Sequence, residues 1–245
     1  MAGHSKWKNI RIRKGKQDAL RGKLFTKLSR EIIVAAKQGG GDSAINPRLR
    51  LAVEKAKEAS LPSDNIKRSI QRGTGEIEGA EYEEVMYEGY GPGGSGILVE
   101  CYTENRNRTV ADLRHVFSKN GGNLSENGSV SWQFKHCGEI VIPQGDHTDE
   151  ESFTLEALEA GADDVKVEDE YYLVYTPVEN LHSTASILMS KGFKSEETRL
   201  LYLPSNFVEL SASDQTKLMK LLDALDEMDD VKDTYMNVEI PEEFS

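Results

Sequence analysis

Leu20, Leu24, Leu28 and Ile32 recur every four residues, and Phe25, Ala35 and Ala36 widen the same stripe. That period predicts a helix from Asp18 with one face turned to a core. Gly39-Gly40-Gly41 ends it. Asn46 before Pro47 reads as an N-cap with proline in the first helical position, and Leu49, Ala52, Val53 and Ala56 carry a second helix as far as Ser60-Leu61-Pro62. Ser63 is expected to cap a third, short helix with Ile66 and Ile70 inward and Gly73 as its stop. Helices this short are marginal alone in water, so the three must share one apolar interior.

Residues 74–82 combine glycine with acid and show no period, which marks a domain boundary. Strands follow over 84–90 and 96–102, separated by Gly91-Pro92-Gly93-Gly94, then a helix over 108–119 with Val110, Leu113, Val116 and Phe117 inward. The alternation Val130, Trp132, Phe134 predicts a further strand. Residues 138–203 then read as strand, helix, strand, strand, helix, strand, the order of a ferredoxin-like unit. A helix over 213–226, with Leu218, Leu221, Leu222 and Leu225 apolar, and a strand over 231–238 are left over. They complete the earlier strand–helix–strand piece. The expected class is therefore α+β in three domains: a three-helix domain over 1–75, a ferredoxin-like domain from 80–136 plus 207–240, and a second one over 137–206 inserted into it. Simple tandem domains are the alternative.

Charge divides the chain at the same boundary. Residues 1–75 hold 18 Lys and Arg against 6 Asp and Glu, while the whole chain carries -12. The remaining residues hold 12 against 36. Within Lys6-Trp7-Lys8-Asn9-Ile10-Arg11-Ile12-Arg13-Lys14-Gly15-Lys16, six of the eleven residues are cationic and none is acidic. A basic segment joined to an acidic body points to a polyanion partner, either DNA or ribosomal RNA, over a merely solvated face. The candidate contacts are Lys6, Trp7, Lys8, Arg11, Arg13, Lys14, Lys16 and Arg21, then Lys23, Lys27, Arg30 and Lys37, which fall together on the polar side of the first helix and are expected to form an outward ridge. Arg48, Arg50, Lys67, Arg68 and Arg72 complete the set. Trp7 could stack on a base or anchor the arm. The ridge is mostly lysine, a point charge suited to phosphates, which argues against strong base readout.

Other chemistry is sparse. No stretch approaches the apolar length of a spanning helix, and no apolar run follows the basic start as in a signal peptide, so no membrane is expected. Cys101 and Cys137 lack CxxC spacing, and His4, His115, His136, His147 and His182 are scattered, so neither metal, cofactor nor small-molecule substrate is expected, and no enzyme signature occurs. The cysteine usage fits a reducing cytoplasm. The glycine turn at 91–94 lacks the lysine of a P-loop and reads as a tight turn, with a phosphate cradle as the alternative. Arg106 and Arg108 open a helix whose N-terminal end favours anions. Either carboxylates of the body neutralise them or they hold an external phosphate with the helix end.

Seven ordered motifs then carry a resemblance. Met-Ala-Gly-His-Ser-Lys-Trp at 1–7, the run from Arg21 to Ile32, Ala-Ala-Lys-Gln-Gly-Gly at 35–40, Asn-Pro-Arg-Leu-Arg at 46–50, Pro-Ser-Asp-Asn-Ile at 62–66, Tyr-Glu-Gly-Tyr-Gly-Pro-Gly-Gly at 87–94 and Asn-Arg-Asn-Arg-Thr at 105–109 together resemble the YebC/PmpR family. Its relatives include the mitochondrial translational activator of cytochrome c oxidase. Ser63 stands where the family usually has lysine. The resemblance implies a cytoplasmic protein of one helical and two α/β domains, usually a probable transcriptional regulator that binds DNA; some members instead relieve ribosome stalling at proline-rich stretches. A third reading is an acidic scaffold whose basic end docks on its own body.

Overall fold

The computed structural model describes residues 17–145, 149–168 and 170–239, with side chains from Gly22 onward. The basic arm at 6–16 and the side chain of Arg21 lie outside the described residues. Among the described residues, seven α-helices and two four-stranded antiparallel sheets make a mixed α+β chain, a helical region followed by α/β domains as expected. Contacts divide it into two compact units: Phe134–Ser205, and the residues up to Gln133 together with those from Asn206 onward.

The helical region holds α1 (Gln17–Gly39), α2 (Pro47–Glu58) and α3 (Ser63–Gly73). Asn46 ties two of them together. Its Oδ1 accepts from Leu49 N at 3.0 Å and caps α2, while its Nδ2 donates to Ala35 O at 2.9 Å and Gly40 O at 2.8 Å at the end of α1. The expected cap at Ser63 is not made, because Pro62 holds the N-cap position and Ser63 is already the first residue of α3. Leu28, Ile32, Ala36, Leu49, Ala56 and Ile66 share one apolar core. Leu24 is exposed despite its place in the stripe, whereas Ile33 and Val34 are buried. That follows from the position of α1, which packs on α2 and α3 on one side and approaches the strands Gly96–Thr103 and Val231–Met236 on another.

The larger unit continues with β1 (Glu83–Tyr90), β2 (Gly96–Thr103), α4 (Arg106–Lys119) and β3 (Asn123–Ser125), and ends with α7 (Ala212–Asp226) and β8 (Val231–Met236). Its sheet runs β3-β1-β2-β8, all neighbours antiparallel. The last strand thus joins a sheet begun more than a hundred residues earlier. Ile97, Val99, Leu113, Phe117, Leu221 and Leu225 form its core, which shares no residue with the helical one.

Phe134–Ser205 contains β4 (Phe134–Pro143), α5 (Glu150–Glu159), β5 (Asp164–Val167), β6 (Tyr171–Thr176), α6 (Leu181–Ser190) and β7 (Glu197–Pro204). The order β5-β6-β4-β7, fully antiparallel, is that of the ferredoxin-like arrangement. Phe153, Ile140, Tyr172, Val174 and Leu188 fill the space between sheet and helices.

The strand expected from Val130, Trp132 and Phe134 is corrected. Ser131–Gln133 is a turn of 3-10 helix, and Phe134 already belongs to β4. Glu88 causes this: its buried carboxylate accepts from the amides of Gly128 at 2.8 Å, Val130 at 2.7 Å and Ser131 at 2.8 Å, folding the loop on itself. Trp132 is left 72% exposed. The strand on that side of the sheet is β3 instead.

Candidate nucleic-acid interface

The cationic side of α1 does not form the outward ridge expected of it. Lys23 Nζ donates to Glu227 O at 3.2 Å, and Lys27 Nζ to Asp226 O at 2.8 Å and Asp226 Oδ1 at 3.0 Å. Arg30 Nη1 meets Asp230 Oδ1 at 2.8 Å and the Asp229 carbonyl. Lys37 pairs with Glu81 at 2.9 Å. The Lys27 and Arg30 side chains are only 14% and 13% exposed. The helical wheel correctly groups these residues; what lies against Lys23, Lys27 and Arg30 is the acidic turn between α7 and β8, an element two hundred positions away.

Asp230 is the centre of that turn. Besides Arg30 it accepts from Arg108 Nη2 at 3.1 Å and Thr109 Oγ1 at 2.7 Å, and its own carbonyl receives Tyr102 N at 2.8 Å. Burial works against its charge, but the hydrogen bonds from Thr109 and Arg108, with Arg30 beside them, hold the carboxyl below its usual range. Arg106 Nε donates to Glu83 at 2.8 Å, and Arg108 also reaches Glu104 at 3.4 Å. Carboxylates thus neutralise the two arginines at the start of α4, whose amide end is capped by Asn105 accepting from Arg108 N at 3.1 Å.

Arg48 lies against the sheet as well. Its Nη2 and Nη1 meet Glu84 at 2.7 and 2.9 Å, and Nη2 reaches Tyr102 OH at 3.0 Å. Arg50 binds the carbonyls of Ser43 and Ala44 at 3.0 and 2.9 Å and so ties down the turn before α2.

Lys67, Arg68 and Arg72 behave differently. All three are exposed on α3 and, among the described residues, have no carboxylate partner. Lys57 on the last turn of α2 is exposed beside them and borders the same groove as Lys67, Ile66 and Gln71. The sequence reading missed Lys57, although it sits one helical turn past Val53 on a polar position. The two helices are joined by the four residues Ala59 to Pro62, a connection of helix-turn-helix length in which Ser60 takes a left-handed φ of 62°. The second helix of such a pair carries the cations.

The glycine turn is structural. Gly93 has φ 68°, and a Cβ there would stand 2.4 Å from the Leu210 side chain. Cys101 and Cys137 are buried and free. Among the described residues no cluster of His, Cys, Asp and Glu is placed to hold a metal ion, and no helix is long and apolar enough to cross a membrane.

Residues 5–76 match the family described as the TACO1/YebC protein N-terminal domain, and residues 82–238 match the TACO1/YebC second and third domain. A probable transcriptional regulatory protein of Persephonella marina is 52% identical over 245 residues, covering 99% of this chain and 98% of that one. One of Chromobacterium violaceum is 52% identical over 243 residues, covering 99% and 100%. The crystal structure of a conserved hypothetical protein from Aquifex aeolicus superposes with a TM-score of 0.82 at 46% identity, covering 92% of this chain and 93% of that one. By sequence along its whole length and by fold, the chain belongs to the TACO1/YebC family, whose matching relatives are named probable transcriptional regulatory proteins.

Proposed function

We propose that the chain is a regulator that grips nucleic acid by its phosphate backbone, with Lys57, Lys67, Arg68 and Arg72 on the α2–turn–α3 pair as the described part of the grip and the basic arm at 6–16 as the rest. One observation carries this. In the helical region Lys23, Lys27, Arg30, Lys37, Arg48 and Lys55 are each matched by a carboxylate, whereas these four cations stand exposed on one helix pair with no carboxylate partner among the described residues. DNA is the favoured partner because the second helix of a helix-turn-helix enters the major groove. The grip is local, in the cytoplasm, and involves no catalysis or cofactor.

Contact with structured RNA, as on a ribosome, is favoured by a different observation. The face offers charge more than base-edge pairs, since of the two amides on α3, Asn65 and Gln71, the latter is turned to Glu76 at 3.4 Å. Salt-titrated fluorescence anisotropy on the full chain tests both. With at least four phosphates neutralised, log K for duplex DNA falls against log salt with a slope of about -4 or steeper. A slope near zero overturns the nucleic-acid reading. Tighter binding to ribosomes than to duplex DNA at the same salt selects RNA over DNA.

A further inference from the structure

We infer that the face of α1 bearing Lys23, Lys27 and Arg30 is a second phosphate-binding surface, occupied in this structure by the chain's own acidic turn Asp226 to Asp230, and that a polyanion competes with the turn for it. The inference rests on the nucleic-acid reading above and adds to it a site that is covered within the same chain.

The three cations lie at spacings of four and three residues, so they stack along one side of nearly two helical turns. What meets them is a short run of acceptors: the carbonyls of Asp226, Glu227 and Asp229 and the carboxylates of Asp226, Glu227 and Asp230. A row of anionic oxygens against a row of cations is the same chemistry that a phosphate backbone supplies. The contact of these three side chains with the turn is electrostatic, whereas the apolar burial of α1 on this side lies further along it at Ile33 and Val34, so salt and competing anions weaken the cover over the three cations more than they would an apolar seam.

Asp230 makes the exchange affordable. When Arg30 leaves, the Asp230 carboxylate keeps Thr109 at 2.7 Å and Arg108 at 3.1 Å, so no buried charge is stranded. The turn stays anchored to α4 and β2 through Asp230 but loses the cover of the three side chains, while Ile33 and Val34 keep α1 against the sheet. The charge of Lys23, Lys27 and Arg30 then passes from the turn to the incoming phosphates.

The test uses the full chain and a duplex DNA of about 20 base pairs. Asp226→Asn with Glu227→Gln loosens the cover; Glu150→Gln with Glu151→Gln makes the same charge change on α5 and serves as control. The first pair should steepen the salt slope by about two, as Lys23 and Lys27 begin to neutralise phosphates, and the control should leave the slope unchanged. Equal slopes in both overturn the inference while leaving the function above intact. A second arm needs no DNA: with inorganic polyphosphate, the amides of Met228 to Val231 should exchange hydrogen faster in the wild type, and Lys23→Ala with Lys27→Ala should show that faster exchange without it. Slower or unchanged exchange in both cases overturns the inference even if no nucleic acid binds.

Discussion

Glu100 and Glu84 share a hydrogen bond and titrate in opposite directions. Burial pushes the Glu100 carboxyl up to about 7, with Asp233 adding to it and Lys232 at 2.7 Å opposing. At Glu84 burial also pushes upward, but the hydrogen bonds from Arg48 and from Glu100 outweigh it and hold the carboxyl down at about 2. Below about pH 7 a protonated Glu100 donates to ionised Glu84, which in turn holds Arg48 of the helical region.

The two signs give a pH signature. Glu84 has a folded value below its ordinary 4.5, so its contribution to stability is complete above that value and is lost as pH falls towards 2. Glu100 has a folded value above its ordinary 4.5, so its contribution is complete below that value and is lost as pH rises through 7. Urea unfolding at pH 5 and pH 8 should show the wild type losing stability between them, and Glu100→Gln should shrink that difference by about 1–3 kcal/mol. An unchanged difference would show that Glu100 is ionised throughout.

Asp230→Ala removes the buried carboxylate shared by Arg30, Arg108 and Thr109. Unfolding free energy should drop by about 3 kcal/mol. A loss below about 1 kcal/mol in chemical denaturation would contradict the central place given to this carboxylate.

Arg106→Ala with Arg108→Ala removes an exposed ion pair with Glu83 and one of the partners of buried Asp230, which keeps Arg30 and Thr109. Stability should fall by about 1 kcal/mol, with nucleic-acid affinity unchanged. Weaker binding at unchanged melting temperature would mean that the arginines hold an external phosphate after all.

Lys67→Ala with Arg68→Ala and Arg72→Ala should flatten the DNA salt slope by about three and leave stability within about 0.5 kcal/mol, since the side chains touch no described carboxylate. Binding that weakens for one sequence alone, with the slope preserved, would identify base contacts in place of phosphate contacts.

Gly73→Ala probes the crossing of α1 and α3. A Cβ there would lie 2.5 Å from the Ile33 carbonyl and 2.6 Å from the Ala36 side chain, so the helices must separate. The expected cost is about 1–3 kcal/mol, read from thermal melts. A melt equal to the wild type would show that the crossing is loose.

Much of this architecture was legible in local signals. Asn46-Pro47 announced the start of α2 because an N-cap and a first-turn proline act within a few residues, and Leu218, Leu221, Leu222 and Leu225 marked the buried side of α7 because one face of it meets one core. The failures share a cause. Val130, Trp132 and Phe134 alternate like a strand, yet the loop is shaped by Glu88, forty residues earlier in the chain. Ile33 and Val34 broke the stripe of α1 because a helix packed on two sides has no single face. The ridge of α1 was placed on the right side of the helix, but its partners belong to Asp226 to Asp230, and a helical wheel carries no information about what lies opposite it.

The position of β8 at the end of the chain sets an order of events during synthesis. β2 lies in the middle of its sheet, with Ile97 facing Met236 and Val99 facing Thr234 across the β8 ladder. Until residue 236 has been made, that side of β2 has open amides and carbonyls, and Ile97, Val99 and Leu113 lack Leu221, Leu222 and Leu225 of α7. Phe134–Ser205 contains all four strands of its own sheet and can fold meanwhile. The nascent protein therefore passes through a stage in which Phe134–Ser205 is finished while the sheet begun before it is still sticky.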